Sequence, residues 1–395
     1  MNKKKKIRLL HIIYRSYIVT ESFPNHLIEG TFQNVNNIMV YSMLKPGENI
    51  SQFNYSIFTL SLYNFFSLYA CWFLIKHFKF SLSYLFTKKN QNKFWIKTNF
   101  INLIRFIQLL KIIEKKGITH IHAHFGYIGN IFAELKRFSD IKFFVSFYGI
   151  DTSANLLPKY TNLIQYCDCF LVLSNYMKDD LIRTGYPPEK IEIVKIALKL
   201  ENMPKIESTQ KKKQIIFTGR LTAKKAICDA IDAFNLFYKN NREYTFIIIG
   251  EGPEHKKAEK KINELSLQNK VKLLGFQDPE HTFKHMVESE IFILPSRTAT
   301  NGDKEGTPVV IIEAELLGLP VISTLHAGIP EIVVNNKNAL LSREGDIKGM
   351  AASLDIFAKK PELLKSFSQF GAVYVENNFD LKKRVAELIE LYREF

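Results

Sequence analysis

Short apolar runs closed by glycine or polar loops alternate along the whole chain with longer stretches at helical spacing. In the first half the runs are "IRLLHIIY" (7–14), "IMVYSML" (38–44), "HIHAHF" (120–125), "KFFVSFYG" (142–149), "CFLVLS" (169–174) and "IEIVKI" (191–196). The rhythm restarts at "QIIFTGR" (214–220) and continues through "YTFIIIG" (244–250), "VKLLGF" (271–276), "IFILPS" (291–296) and "PVIST" (320–324). Strand–helix–strand repeats of this kind stack into parallel sheets. The pattern predicts an α/β chain of two Rossmann-like, doubly wound parallel-sheet domains, residues 1–205 and 206–378, facing each other across a cleft. The polar segment "ENMPKIESTQKKK" (201–213) is the linker. Residues 379–395 read as an amphipathic helix with Val385, Leu388, Leu391 and Tyr392 at helical spacing. Its apolar stripe must dock on one of the two domains, on the first by crossing back. Ligands of such folds bind beyond the carboxyl ends of the strands, so the loops there hold the candidate chemistry.

One stretch breaks the rhythm. Residues 56–86 carry no charge until Lys76, and the 20 residues from Ser56 to Ile75 have the length of a membrane span. Ser, Asn64 and Tyr recur through it, however, and Leu60, Asn64, Ser67 and Cys71 would share one helix face. An amphipathic or buried helix is therefore favoured over a span, and the Lys and aromatic residues of 72–97 suit a membrane surface. The amino-terminal apolar run is interrupted by His11 and Arg15, which favours a first buried strand over a signal peptide. Lys3–Lys6 read as a solvated tail or a phospholipid contact.

Composition adds the charge asymmetry. The 395 residues are 46% hydrophobic and 24% charged, which is globular and too long for one core. Residues 1–205 hold 27 Lys and Arg against 13 Asp and Glu, whereas residues 206–395 hold 27 against 26. A basic half joined to a balanced one faces something acidic: nucleic acid, anionic lipid or a phosphorylated substrate. Cys71, Cys167, Cys169 and Cys228 are too few for a disulfide framework and read as reduced thiols.

Two segments carry chemistry. In "FTGRLTAKKA" (217–226), Gly219 permits a tight turn, and Arg220 and Lys225 set two cations near a helix start around Thr222, an arrangement that suits a diphosphate. Lys224 reads as the solvated neighbour. In "NGDKEGTPVVIIEAELLGLPVIS" (301–323), Glu305 lies in a loop, Thr307 reads as N-cap and Pro308 as first helical residue, and Glu313 falls about two turns in. The two carboxylates are then at most roughly 12 Å apart along the helix axis. Glu313 is flanked by apolar residues and needs a polar partner if that face is buried. His120, His122 and His124 alternate on one strand face; zinc is the sharp reading, but no fourth ligand is evident and three in line are too spread for one ion. They are expected as core or cleft-lining side chains, with His124 the one to touch substrate. Cys167-x-Cys169 is expected as strand filler.

"EGTPVVIIE" (305–313) resembles the E-x7-E motif of the retaining glycosyltransferases of family 4, and "FTGRLTAKKA" their G-R-L-x-x-K-K-G segment. "GEGP" (250–253), "LLGF" (273–276), "LPS" (294–296) and "GLPVIST" (318–324) follow in the family's order, and "HAGIPEIV" (326–333) is similar to the exopolysaccharide and colanic-acid branch. The resemblance implies the GT-B fold and a nucleotide-sugar donor site in the second half: Gly219, Arg220, Lys225, Gly250, Gly275, Glu305, Gly306, Thr307, Pro308 and Glu313. Arg220 and Lys225 would bind the donor diphosphate, Glu313 the ribose hydroxyls, and Glu305 would lie beside the transferred sugar. No metal and no cofactor are implied. In the first half, "TESF" (20–23), "IHAHFG" (121–126) and "SFYGID" (146–151) resemble family segments more weakly, and point to Glu21, His124, Tyr148 and Asp151 as acceptor or cleft residues. Two positions depart. Tyr148 stands where many members have histidine, and it cannot titrate near neutral pH; Ala197 and Lys199 replace a Gly and an Asp of the linker turn.

These features together lead to the expectation of a retaining, metal-independent transferase. It would move sugar from a UDP- or GDP-sugar to a saccharide acceptor, carried on a polyprenyl diphosphate at the cytoplasmic face of a bacterial inner membrane. The basic half would meet anionic headgroups, and nucleic acid is not expected as a partner. An epimerase or phosphorylase of the same fold, a nucleic-acid binder and an inactive scaffold are the alternatives.

Overall fold

The computed structural model describes residues 7–14, 22–35, 38–43, 56–58, 68–86, 93–149, 160–204 and 211–395. Glu21, Asp151, the Lys3–Lys6 tail, Leu60, Asn64 and Ser67 lie outside them. The first half contains strands β1 (Leu9–Ile13), β2 (Ile38–Ser42), β3 (Ser56–Phe58), β4 (His120–His124), β5 (Lys142–Ser146), β6 (Cys169–Val172) and β7 (Ile191–Ile193). Between them run α1 (Ser22–Asn34), α2 (Leu68–Lys76), α3 (Phe78–Phe86), α4 (Lys93–Lys116), α5 (Gly126–Phe132), α6 (Thr161–Tyr166) and α7 (Asn175–Arg183). The second half has β8 (Gln214–Thr218), β9 (Thr245–Ile249), β10 (Val271–Leu273), β11 (Ile291–Leu294), β12 (Val321–Thr324) and β13 (Ala339–Ser342). Its helices are α8 (Ile227–Tyr238), α9 (His255–Glu264), α10 (Pro279–Glu288), α11 (Val309–Leu316), α12 (Ile347–Lys359), α13 (Pro361–Asn378) and α14 (Leu381–Glu394).

Every strand pair is parallel, in the orders β3-β2-β1-β4-β5-β6-β7 and β10-β9-β8-β11-β12-β13. This is the two-domain GT-B architecture. Both central strands are buried along their whole length, including the polar His11, Gln214 and Thr218. Strand order reverses between β1 and β4 and again between β8 and β11. At such switch points the loops diverge and leave a crevice for ligand.

Residues 56–86 differ from the single helix expected there. Ser56–Phe58 is an edge strand beside β2, and the helical part is the separate pair α2 and α3. A short apolar run has no periodicity that tells strand from helix, and the break at His77 divides what composition alone joins. Among the described residues no helix is long and apolar enough to cross a membrane.

The carboxyl-terminal helix α14 packs on α1 of the first domain. A Cβ on Gly30 would come within 2.5 Å of Val385, so only glycine allows this approach. Val385, Leu388 and Tyr392 are buried there, each worth roughly 1.5–3 kcal/mol of apolar transfer. The segment leading into α14 is tied to the interdomain turn by Leu198 N–H to Phe379 O (2.8 Å) and Leu381 N–H to Leu198 O (2.9 Å).

Candidate active site

At the second switch point, the loop after β8 meets the loop after β11. Gly219 takes φ +147, and the chain passes Arg220 into a short 3-10 turn, Ala223–Lys225. Helix α8 begins only at Ile227, later than the start expected near Thr222, because Ala226 adopts a left-handed conformation (φ 49) between the two. The Lys225 ammonium lies 2.9 Å from Glu305 Oε1, and the Ser296 hydroxyl donates to the same oxygen at 3.2 Å. Burial alone would raise the Glu305 carboxyl; Lys225, with Lys224 behind it, overrides that and holds it below the usual carboxylate range. Lys224 is not a solvated neighbour. It reaches Asp303 at 3.0 Å and the Lys304 carbonyl at 3.0 Å, and so fastens the β11 loop to the β8 loop. Arg297 adds a second fastening through Asp229 at 3.0 Å. Arg220 is exposed and makes no ion pair among the described residues.

Glu305 is also held through its backbone. Its N–H donates to His326 Nε2 at 3.1 Å. That nitrogen must therefore carry a lone pair, so the His326 ring is protonated at Nδ1, which donates to Glu344 Oε1 at 2.6 Å. Sequence reasoning missed His326 as a support, because the contact joins two loops 21 residues apart. The helix start also shifts: Pro308, not Thr307, is the N-cap of α11, and no side chain caps it. The buried Thr307 hydroxyl has no hydrogen-bond partner among the described residues.

Glu313 is half-buried on α11, and burial pushes its carboxyl up to about 7. Gly250 and Gly275 serve the loops themselves. A Cβ on Gly250 would sit 2.0 Å from the Gly219 carbonyl oxygen, and Gly250 N–H donates to Gly275 O at 2.8 Å. These glycines let three strand-end loops close against one another.

The first domain contributes from the opposite side. Tyr148 and Gly149, just past β5, reach the Glu305–Gly306 backbone; a Cβ on Gly149 would lie 3.0 Å from Gly306 N. Across the same boundary, Glu331 accepts from the backbone N–H groups of Asn175 and Tyr176 at 2.8 Å each. It supplies the negative charge that the amino terminus of α7, with no acidic residue in its first turn, lacks. Lys304 donates to the Tyr176 hydroxyl at 2.5 Å.

His124 does not face the cleft. It is fully buried and bonds to Tyr148 OH at 2.6 Å and to His11 at 3.0 Å. His122 bonds Tyr392 OH at 2.6 Å and Ser146 Oγ at 2.7 Å, and His120 reaches the Tyr392 carbonyl at 3.0 Å. The three rings that come together are His11, His122 and His124, not the three of one strand. Each of their nitrogens takes part in a hydrogen bond. Cys167 and Cys169 are buried and form no disulfide; Cys169 opens β6, whereas Cys167, expected as strand filler, caps the end of α6.

Two family models match this chain: Glycosyl transferases group 1 over residues 199–373 and Glycosyltransferase Family 4 over residues 50–201. Between them the two matches run from residue 50 to residue 373, and over that stretch the chain is similar to glycosyltransferases. It is 33% identical over 240 residues to the amylovoran biosynthesis glycosyltransferase of Erwinia amylovora, covering 58% of this chain and 59% of that one. To a glycosyltransferase assigned to colanic acid biosynthesis in Escherichia coli it is 33% identical over 247 residues, 60% and 61% of the two chains. The chain spans about three fifths of the length of these curated relatives. The Anabaena HepE structure, solved in complex with UDP, superposes with TM-score 0.77 over 98% of this chain and 100% of that one at 14% identity, and so shares the fold.

The segment similar to family 4's G-R-L-x-x-K-K-G ends in alanine here. The positive φ of Ala226 shows why glycine suits that place: it is the hinge that lets Lys225 turn back toward Glu305 before α8 begins. Tyr148 occupies the histidine position at the domain boundary, with its hydroxyl tied back to His124.

Proposed function

We propose that the protein is a retaining glycosyltransferase of exopolysaccharide biosynthesis that moves a sugar from a UDP- or GDP-sugar to a saccharide acceptor carried on a polyprenyl diphosphate. The observation that carries this reading is the Lys225–Glu305 pair at the β8/β11 switch point, with Arg220 exposed beside it and Glu313 further along α11. As the glycosidic bond to the leaving diphosphate breaks, negative charge grows on the phosphate oxygens. Arg220, Lys225 and the N–H groups at the start of α11 stabilise that charge more than the ground state, and these cations need no metal ion. Glu313 accepts from the ribose hydroxyls. Glu305, ionised and fixed, faces the sugar.

The acceptor's lipid carrier fits a surface of the first domain. Helices α2 and α3 expose Leu68, Trp72, Ile75, Phe78 and Leu82, and Lys76 lies 4.4 Å from the centre of the Trp72 ring. Residues 49–113 contain eight Lys and Arg and no acidic residue. An apolar ledge flanked by the exposed Lys76 and Lys79 suits an anionic bilayer surface and supports a reading in which the enzyme works at the cytoplasmic face of a membrane.

The test is transfer from a panel of UDP- and GDP-sugars to polyprenyl-diphosphate-linked saccharide in EDTA, with product configuration read by NMR. A product with the donor's anomeric configuration supports the proposal. Dependence on added metal, an inverted product, or epimer or sugar-phosphate formation without acceptor contradicts it.

A further inference from the structure

The neighbouring strands β11, β12 and β13 end side by side, and a line of hydrogen bonds crosses their loops. Glu344, past β13, accepts His326 Nδ1–H on Oε1 at 2.6 Å and Thr298 N–H on Oε2 at 2.9 Å; the Thr298 hydroxyl adds a longer contact to Oε1 at 3.4 Å. His326, past β12, accepts Glu305 N–H on Nε2 at 3.1 Å. Thr298 and Glu305 stand at the two ends of the loop that follows β11. Between them the loop closes on itself through Ala299 N–H to Asp303 O at 2.9 Å and Gly302 N–H to Ala299 O at 2.8 Å, and Lys224 holds Asp303 from the β8 side. The His326 side chain is 1% exposed and that of Glu344 38%, so the line starts at the surface and ends at the buried Glu305. Burial alone would raise the Glu344 carboxyl; the hydrogen bonds from Thr298 N–H and His326 hold it below the usual carboxylate range.

We infer that Glu344 is a positioning residue: through His326 it fixes the backbone of Glu305, and with its second oxygen it fixes the start of the same loop. The chemistry requires a carboxylate there. Both nitrogens that face Glu344 are N–H donors, so the position demands two acceptor oxygens, and an amide has one. In Glu344→Gln, one placement of the amide sets its NH2 group against Thr298 N–H. The other sets it against His326 Nδ1, which can accept only if the ring proton moves to Nε2. There the proton meets Glu305 N–H, and that hydrogen bond is lost. A size-preserving change at the surface thus reaches Glu305 as a change of histidine tautomer. The inference rests on the proposed transferase reading for its kinetic half alone.

The experiment is 15N NMR of histidine-labelled full-length protein, which reads each ring's tautomer and needs no activity; the His326 signals are assigned by their absence in His326→Gln. A neutral His326 ring protonated at Nδ1 is the expected result, kept in Glu344→Asp, which retains two acceptors, and lost or mixed in Glu344→Gln. An Nε2–H or doubly protonated His326 in the unmodified protein overturns the line of hydrogen bonds, and an unchanged Nδ1–H tautomer in Glu344→Gln overturns the role of Glu344. In the kinetic arm, Glu344→Gln is expected to lower kcat about ten- to hundredfold while KM for the sugar nucleotide changes less than about threefold, and Glu344→Asp to recover most of the loss. An unchanged kcat with the tautomer lost would overturn the positioning of Glu305 while leaving the transferase reading standing. No transfer by the unmodified protein, with the tautomers as expected, would instead count against that reading.

Discussion

Lys225 and Glu305 face each other at 2.9 Å across the junction of two loops 80 residues apart, and both side chains are nearly buried. Removing the ammonium leaves the carboxylate without its cation in the interior. Lys225→Ala is therefore expected to lower unfolding free energy by about 2–4 kcal/mol as well as activity. Arg220→Ala removes an exposed cation and is expected to change stability by less than about 0.5 kcal/mol while lowering kcat about 10²-fold or more. Urea denaturation alongside steady-state kinetics separates the two.

Under the proposed donor contact, Glu313 links donor binding to pH. Its carboxyl, pushed up to about 7, is half protonated near neutrality and becomes a full acceptor only above that. Ribose hydroxyls bound to the carboxylate favour ionisation, so donor binding releases a proton and tightens between about pH 6 and 8. Calorimetry in buffers of different ionisation enthalpy should show that release, and Glu313→Gln should abolish it.

The fold was largely legible in the chain because most of its strands are short, predominantly apolar runs ending in glycine or polar loops. Exceptions have physical causes. Ser56–Phe58 lies in apolar sequence with no period to mark it, and Ala339–Ser342 is a short edge strand with a mixed surface, so β13 was not anticipated. Of the site, Arg220, Lys225, Glu305 and Glu313 stand in recognisable spacings. His326, Glu331 and His11 do not, since each acts on a partner in another loop or strand: Glu305, Asn175 and Tyr176, and His124. Lys224 and Lys225 are neighbours of one type, and only the folded loops show that both are paired.

Glu315 is the fold's unfavourable carboxylate. It is 1% exposed, and neither oxygen has a hydrogen-bond partner among the described residues. Burial raises its carboxyl well above the ordinary value of 4.5. A raised folded-state value means that its contribution is fully favourable below about pH 4.5 and is lost as pH rises toward the folded value. Glu315→Met should thus stabilise the protein at pH 7.5 by about 1–3 kcal/mol, with the advantage shrinking toward pH 4.5. Thermal unfolding across that pH range checks it.

Ala226 sits at φ 49, a conformation that costs a non-glycine residue roughly 1–2 kcal/mol. Ala226→Gly recovers part of that, offset by the greater freedom of glycine in the unfolded chain, and should raise stability by about 0.5–1 kcal/mol with kcat unchanged. Differential scanning calorimetry resolves a change of this size.

Glu331 bridges the domains at the amino terminus of α7. Glu331→Ala removes two charge-assisted hydrogen bonds across the boundary. A larger radius of gyration by small-angle scattering and a roughly tenfold lower kcat/KM are expected, with the transition midpoint of the second domain unchanged.

Donor recognition by Arg220, Lys225 and Glu313 is the centre of the account, and isothermal titration of UDP and GDP into the protein in EDTA tests it most directly. One of the two should bind at one site per chain, with affinity at least tenfold weaker in Arg220→Ala and in Glu313→Ala. Failure of both nucleotides to bind, or binding that survives both substitutions unchanged, would contradict it.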